Sequence, residues 1–87
     1  MTKEMMKFTE CIEEAYNDYE MELEEAFNTW ASYERMETLK DAIVYRLIGI
    51  VDMADAMGIK GYEKIYDDYN TKVYKKFKEV TKRPHYT

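Results

Sequence analysis

The chain has 87 residues, of which 46% are hydrophobic and 36% are charged, and its net charge is −5. This length corresponds to one small domain, and the apolar fraction is too high for a disordered chain. Three glycines and one proline are too few for a β-rich fold with many turns. We therefore expect a single all-α domain over residues 1–87.

The charge is divided between two parts of the sequence. Residues 1–37 carry eleven acidic and three basic side chains, whereas residues 38–87 carry seven acidic and ten basic ones. The corresponding net charges of −8 and +3 sum to −5. The sequence thus predicts an acidic first helix and a last helix with a basic face.

Three features bear on the cellular compartment. The single cysteine, Cys11, excludes an internal disulfide and favours a reducing compartment. The charged start of the chain is unlike a secretory signal. The longest apolar stretch, residues 42–51, is interrupted by Arg46 and is too short to span a membrane. We expect a cytoplasmic protein without membrane contact.

Apolar residues recur at helical spacing along the first part of the chain. One third of the helix circumference collects Met5, Phe8, Ile12, Ala15, Tyr16, Tyr19, Leu23, Ala26, Phe27, Trp30 and Tyr33. The pattern fails at Glu34 and Glu37, which would enter this apolar stripe. Helix 1 is therefore predicted over about residues 3–33, longer than either helix that follows.

A second helix is predicted over residues 38–57. Thr38 followed by Asp41 resembles a capping box after a turn at 34–38. A helix that continues through 34–38 stays open as an alternative, because no glycine or proline enforces a break. The apolar arc of helix 2 contains Leu39, Ala42, Ile43, Leu47, Ile50, Met53, Ala54 and Met57.

Helix 2 is expected to end at Gly58, where a positive φ costs glycine little, with Ile59 supplying the apolar contact that follows. Helix 3 is predicted over residues 62–81 and is stopped by Pro84. Residues 83–87 are predicted to form a frayed tail.

We expect the helical bundle to be completed by dimerisation. A long helix 1 would leave part of its apolar stripe uncovered in a three-helix bundle, and a second copy would cover it. We assign Arg46, Trp30 and Tyr33 to this interface. Arg46 falls within the apolar arc of helix 2, where an unpaired charge is costly. It should reach the surface, or meet Glu34, Glu37 or a carboxylate of the second chain.

The acidic side chains of helix 1 lie away from its apolar stripe. The candidates for binding a partner are Glu13, Glu14, Asp18, Glu20, Glu24 and Glu25. The default interpretation is a solvated face that keeps a small protein soluble. The functional interpretation is a nucleic-acid-mimicking surface that competes with phosphates for the basic groove of another protein.

A second candidate surface lies on the far side of helix 2. Val44, Tyr45 and Ile48 point away from its apolar arc and would be exposed in a simple bundle. An aromatic ring among carboxylates suits a protein interface. The alternative is that helix 2 is central and buried on both sides.

Two other functional classes remain open. Residues 50–69 partly match a helix-turn-helix, which would make the chain a DNA-binding regulator, although Asp67 and Asp68 would repel phosphates there. Asp52 and Asp55 resemble the acidic pair of an all-α, Mg²⁺-dependent nucleotide pyrophosphohydrolase. The dispersed carboxylates and aromatic residues favour a third class.

That class is a small acidic protein-binding module, without catalysis, metal or cofactor. Its partner would be a nucleic-acid-processing or regulatory protein with a basic surface, in the manner of phage and mobile-element inhibitors. Direct binding of nucleic acid is not expected, because the protein is acidic overall.

Overall fold

The protein is described by a computed structural model that covers residues 2–85. This part of the chain forms three α-helices and no strand: α1 (Lys3–Asn28), α2 (Tyr33–Ala56) and α3 (Tyr62–Thr81). Each helix packs against the other two, and the molecule measures 50 × 19 × 16 Å. The predicted all-α, three-helix bundle is confirmed. No helix within residues 2–85 is long and apolar enough to cross a membrane.

The three helices have similar lengths of 26, 24 and 20 residues. A first helix much longer than the others, predicted over residues 3–33, is therefore not confirmed. The apolar stripe of α1 is covered by the bundle itself, since Phe8, Ile12, Tyr19 and Leu23 are all buried. Only Trp30 and Tyr33, which belong to the predicted stripe but lie beyond the end of α1, are largely exposed. The dimer stays a prediction.

The turn between α1 and α2 occupies residues 29–32. Trp30 adopts a positive φ of 62°, and its N–H donates to the carbonyl of Phe27. The N–H of Ala31 donates to the carbonyl of Ala26. This pair of bonds is a Schellman motif, which satisfies the last carbonyls of a helix. The turn predicted at 34–38 is wrong, because α2 runs through these residues. The alternative of one long helix joining helices 1 and 2 is also wrong, because the chain turns at 29–32.

The start of α2 is fixed by Ser32. Its hydroxyl accepts a hydrogen bond from the N–H of Arg35 at 3.1 Å, as an N-cap residue does. Thr38 lies inside α2, where its hydroxyl donates to the carbonyl of Glu34. The capping box proposed for Thr38 and Asp41 is therefore wrong, because Ser32 caps the helix nearly two turns earlier.

The turn between α2 and α3 agrees with the sequence. Gly58 has a φ of 73°, and its N–H donates to the carbonyl of Asp55. The N–H of Ile59 donates to the carbonyl of Ala54, which completes a second Schellman motif. Ile59 then packs against the core. The observed bounds of α3 match the predicted 62–81.

The chain after α3 returns to the end of α1. The His85 ring stacks between Phe27 and Trp30, with ring centroids 3.9 and 3.8 Å away. Its Nε2 lies 2.7 Å from the Phe27 carbonyl oxygen. Arg83 binds carboxylates of α1 and α3. A frayed tail over 83–87 is therefore wrong for these two residues, and the last two residues lie outside the described part of the chain.

The pairing of side chains gives the direction of each helix. Tyr19 of α1 donates its hydroxyl hydrogen to the carbonyl of Val73 at 3.1 Å, and Phe8 packs edge-on against Tyr62. These contacts place α1 and α3 parallel, with α2 antiparallel to both. The polar faces of α1 and α3 consequently point away from the core in different directions.

Candidate functional site

The outer face of α1 carries an acidic surface. One side of α1 faces the core, and its buried residues are Phe8, Ile12, Ala15, Tyr19, Leu23 and Ala26. The side chains on the opposite side of the helix are exposed. Six exposed carboxylates of α1 have no basic group within 4 Å among residues 2–85. Glu4 and Glu22 lie towards the flank of the helix, and we call the other four the acidic face: Glu10, Glu13, Glu14 and Glu25. Their charges are available to a binding partner.

Glu24 belongs instead to the packing of the bundle. Its two carboxylate oxygens accept hydrogen bonds of 2.7 and 2.9 Å from Arg83, and one also accepts a 2.7 Å bond from Lys76. The hydrogen bonds from Arg83, and then those from Lys76, lower the pKa of Glu24 to about 2. The carboxylate is fully charged at neutral pH, but its charge is matched within the chain.

Asp18 and Glu20 also have partners within the chain. Asp18 lies 3.3 Å from the guanidinium of Arg46. Glu20 is half-buried and accepts a 3.2 Å hydrogen bond from the hydroxyl of Tyr16. Burial, followed by the negative charge of Glu20, raises the pKa of Tyr16 to about 12. Of the six predicted acidic site residues, Glu13, Glu14 and Glu25 therefore remain free of partners among the described residues.

Arg46 is at the surface, with half of its side chain exposed. Its partner is Asp18 of α1, so the predicted partners Glu34 and Glu37 are wrong. Those two residues lie in the first turns of α2, far along the helix from Arg46. An ion pair this exposed contributes little to stability. Arg46 thus reaches solvent past its apolar neighbours, as one of the sequence-based interpretations expected.

The other two predicted interface residues lie at one end of the bundle. Trp30 is 60% exposed in the turn and stacks on His85, and Tyr33 is 56% exposed and packs on Phe77. Arg46 is in the middle of α2, so the chain does not gather the three residues into one patch. Their role in a dimer stays a prediction.

The outer side of α2 presents an apolar patch, which we call the α2 patch. Tyr45 is 75% exposed and Ile48 is 40% exposed, whereas Val44 is half-buried against the core. The alternative in which α2 is buried on both sides is therefore wrong. Asp41 and Asp52 are exposed on the same side of the helix.

A groove between α1 and α2 was not anticipated. It has a volume of about 390 Å³ at the end of the bundle where α1 starts. We define the α1–α2 groove by the residues that line it: Lys3, Glu4, Lys7, Phe8, Cys11, Ile50, Met53, Ala54, Met57 and Ile59. The sequence assigned Met53 and Met57 to the core, yet they are 64% and 63% exposed. Both lie at the edge of the apolar arc of α2, where periodicity alone does not separate core from rim.

The residues behind the two alternative functions are also exposed. Asp52 and Asp55 are on the surface of α2, and Asp55 accepts a hydrogen bond from the hydroxyl of Tyr62. Asp67 and Asp68 project to solvent from α3. Within residues 2–85, no group of three histidine, cysteine or acidic side chains is arranged to hold a metal ion.

Comparisons with other proteins give no family assignment. No family model matches the chain, and neither a curated protein nor a solved structure matches it.

Proposed function

We propose that this chain is a small acidic protein-binding module of the cytoplasm, which docks on a basic surface of a second protein and carries out no catalysis. The acidic face supports this proposal. Its four carboxylates are free of partners among residues 2–85. Glu10, Glu13 and Glu14 lie within about one turn of α1, and Glu25 lies about three turns further along the same helix. A row of fixed negative charges can occupy a groove that otherwise binds phosphates.

The partner class we propose is a nucleic-acid-processing or regulatory protein. The chain would inhibit it by occupying its nucleic-acid site, as small acidic proteins of phages and mobile elements do, and this comparison is one of class alone. Charge would guide the approach, while Tyr45 and Ile48 of the α2 patch would contribute apolar contact area. A homodimer would present two acidic faces to such a target.

The experiment is capture from a cell lysate by the immobilised chain, with quantitative mass spectrometry at low and high salt. The test variant replaces Glu13, Glu14 and Glu25 by glutamine and leaves the paired Glu24 intact. We expect the wild type to capture nucleic-acid-binding proteins at low salt, to release them at high salt and to lose them to added duplex DNA. The triple variant should capture none of them.

A matched control replaces Glu34, Glu37 and Glu63 by glutamine. These three residues are exposed away from the acidic face, so the control changes the net charge equally and should retain capture. Capture that survives both the triple variant and high salt would contradict the proposal. A shift of labelled duplex DNA by the chain would favour the regulator. Nucleotide turnover that requires Mg²⁺ and is lost in Asp52→Asn would favour the hydrolase.

A further inference from the structure

The α1–α2 groove has an apolar interior that is open to solvent. Phe8 and Ala54 are buried in its floor, whereas Met53 and Met57 leave more than 60% of their surface exposed at its side. Methionine side chains are flexible and polarisable, so they adapt to the shape of a guest. Covering these two side chains would remove apolar surface from water, which favours binding.

The walls of the groove have the shape that accepts a helix. α1 contributes Lys3, Lys7 and Cys11 at four-residue spacing, and α2 contributes Met53 and Met57 at the same spacing. Such rows form the ridges between which a neighbouring helix packs. From Lys3 to Cys11 the wall is about 12 Å long at 1.5 Å per residue, which corresponds to about two turns of a guest helix.

The charge at the rim of the groove is opposite to that of the acidic face. α1 contains nine acidic residues and two basic ones, and both basic residues, Lys3 and Lys7, line the groove. Within residues 2–85, no carboxylate lies within 4 Å of either ammonium group. Glu4 also lines the groove. Two lysines and one glutamate leave the rim with a net positive charge.

We propose that the α1–α2 groove binds a short amphipathic helix of a partner protein, with the apolar side chains of that helix against Met53 and Met57 and its carboxylates against Lys3 and Lys7. The four-residue spacing of the walls fits a helical guest, and the two unmatched ammonium groups select an acidic one. This site is separate from the acidic face and prefers the opposite charge. The proposal therefore does not depend on the function proposed for that face.

Cys11 provides a direct readout, because it is the single cysteine of the chain and it lines the groove. The probes are two synthetic peptides constrained to be helical, with the same leucine face and with either glutamate or lysine beside it. The measurement is the rate at which Cys11 reacts with a soluble aromatic disulfide. We expect the glutamate peptide to slow this reaction several-fold at saturation, and the lysine peptide to leave it unchanged.

Charge reversal tests the role of the lysines. In a Lys3→Glu, Lys7→Glu variant the preference should invert, so that the lysine peptide protects Cys11. The matched control reverses Lys75 and Lys78, which are exposed on α3, and should behave as the wild type. Replacing Met53 and Met57 by glutamine should abolish protection by either peptide. Far-UV circular dichroism establishes that each variant is folded. We expect the Lys3→Glu, Lys7→Glu variant to fold, because acidic residues near the start of a helix favour its formation.

Several outcomes would overturn the proposal. One is that neither peptide protects Cys11, and another is that the preference for glutamate survives reversal of both lysines. Protection that rises with the concentration of the chain alone would assign the groove to a second copy. Protection by dodecanoate, without protection by the glutamate peptide, would assign it to a small amphiphile.

Discussion

Glu24 is a carboxylate of α1 whose charge is paired within the bundle. It lies on the acidic helix, yet its carboxylate is held by Arg83 from the C-terminal segment and by Lys76 from α3. Two-thirds of its side chain is shielded, with 33% exposed. A bidentate contact between a guanidinium and a carboxylate is among the stronger polar interactions in proteins. Glu24 therefore holds Arg83, in the segment that follows α3, against α1.

We expect Glu24→Gln to lower the free energy of unfolding at pH 7 by about 1 kcal/mol, after allowance for solvent screening of the partly exposed pair. The pKa of Glu24 is about 2 in the fold, against an ordinary value of 4.5 for a glutamate in water. A lowered pKa gives stability above about pH 4.5 that is lost as the pH falls towards 2. The difference between wild type and variant should shrink over that range, as measured by urea unfolding at a series of pH values.

The exposed neighbour Glu25 supplies the control for this prediction. Glu25→Gln removes the same charge one residue further along α1 and should leave stability at pH 7 nearly unchanged. Equal losses in the two variants, or a loss in Glu24→Gln that does not vary with pH, would show that the contacts with Arg83 and Lys76 contribute no stability.

At the scale of the elements, the α1–α2 turn is the least regular part of the bundle. It places Trp30 at φ 62°, the left-handed region in which a residue with a side chain costs about 1 kcal/mol. Trp30 occupies the position that glycine usually takes after a helix. Its ring stacks on His85, which in turn stacks on Phe27. Aromatic packing thus accompanies a backbone conformation that tryptophan does not favour.

The positive φ of Trp30 can be tested with two substitutions at that position. Both Trp30→Ala and Trp30→Gly lose the stacking on His85, but glycine adopts the positive φ without strain. We expect the glycine variant to be more stable than the alanine variant by about 1 kcal/mol in thermal or urea unfolding. At Thr38, exposed within α2, the order should be reversed because glycine weakens a helix interior. Alanine being the better residue at both positions would place Trp30 inside a helix.

The sequence predicts the second turn well and the first turn poorly, and the difference has a physical cause. At Gly58 the residue type and the required backbone conformation agree, so the end of α2 is visible in the sequence. At Trp30 they disagree, and the apolar periodicity of α1 continues through the turn to Tyr33. Ser32 is a favourable N-cap residue, but no glycine precedes it to mark the end of α1. The apolar periodicity alone therefore predicts a helix 1 that extends past Ser32.

The candidate site divides in the same way. The exposure of Glu13, Glu14 and Glu25 follows from helical periodicity alone, and so does that of Tyr45. The pairing of Glu24 was not predictable, because it depends on how α1 and α3 pack and on the path of the chain after α3. The α1–α2 groove likewise depends on how two helices sit together, which periodicity within one helix does not determine.

At the scale of the whole molecule, the excess of acidic side chains lies on α1, whereas α3 carries five lysines and four carboxylates. The acidic face of α1 is at one surface, and α3 presents exposed lysines, among them Lys64, Lys75 and Lys78, at another. The ion pair between α1 and α3 is made at Glu24, whereas Glu10, Glu13 and Glu14 of the acidic face lie within about one turn of one another and have no such partner. Like charges four residues apart on a helix are destabilising. Repulsion among the carboxylates of the acidic face therefore lowers the stability of the fold, and packing of the bundle does not depend on these carboxylates.

This loss of stability can be measured with Glu14, which lies four residues after Glu10 and four before Asp18. Glu14→Lys converts two repulsive pairs into attractive ones, and we expect it to stabilise the fold by about 1 kcal/mol at low ionic strength. Glu14→Gln, which removes the repulsion without adding attraction, should give about half of that gain. Both gains should largely disappear near about 1 M salt, where charges on the surface are screened within about 3 Å.

The same variants connect stability with the proposed function. If the acidic face binds a basic partner, Glu14→Lys should fold more stably than the wild type and yet capture less of that partner at low salt. Residues selected for binding commonly reduce stability in this way. A variant that is both more stable and undiminished in capture would show that the acidic face serves only to keep the protein in solution. A variant that is less stable would show that Glu14 makes a favourable contact, and that like-charge repulsion is not the dominant interaction on this face of α1.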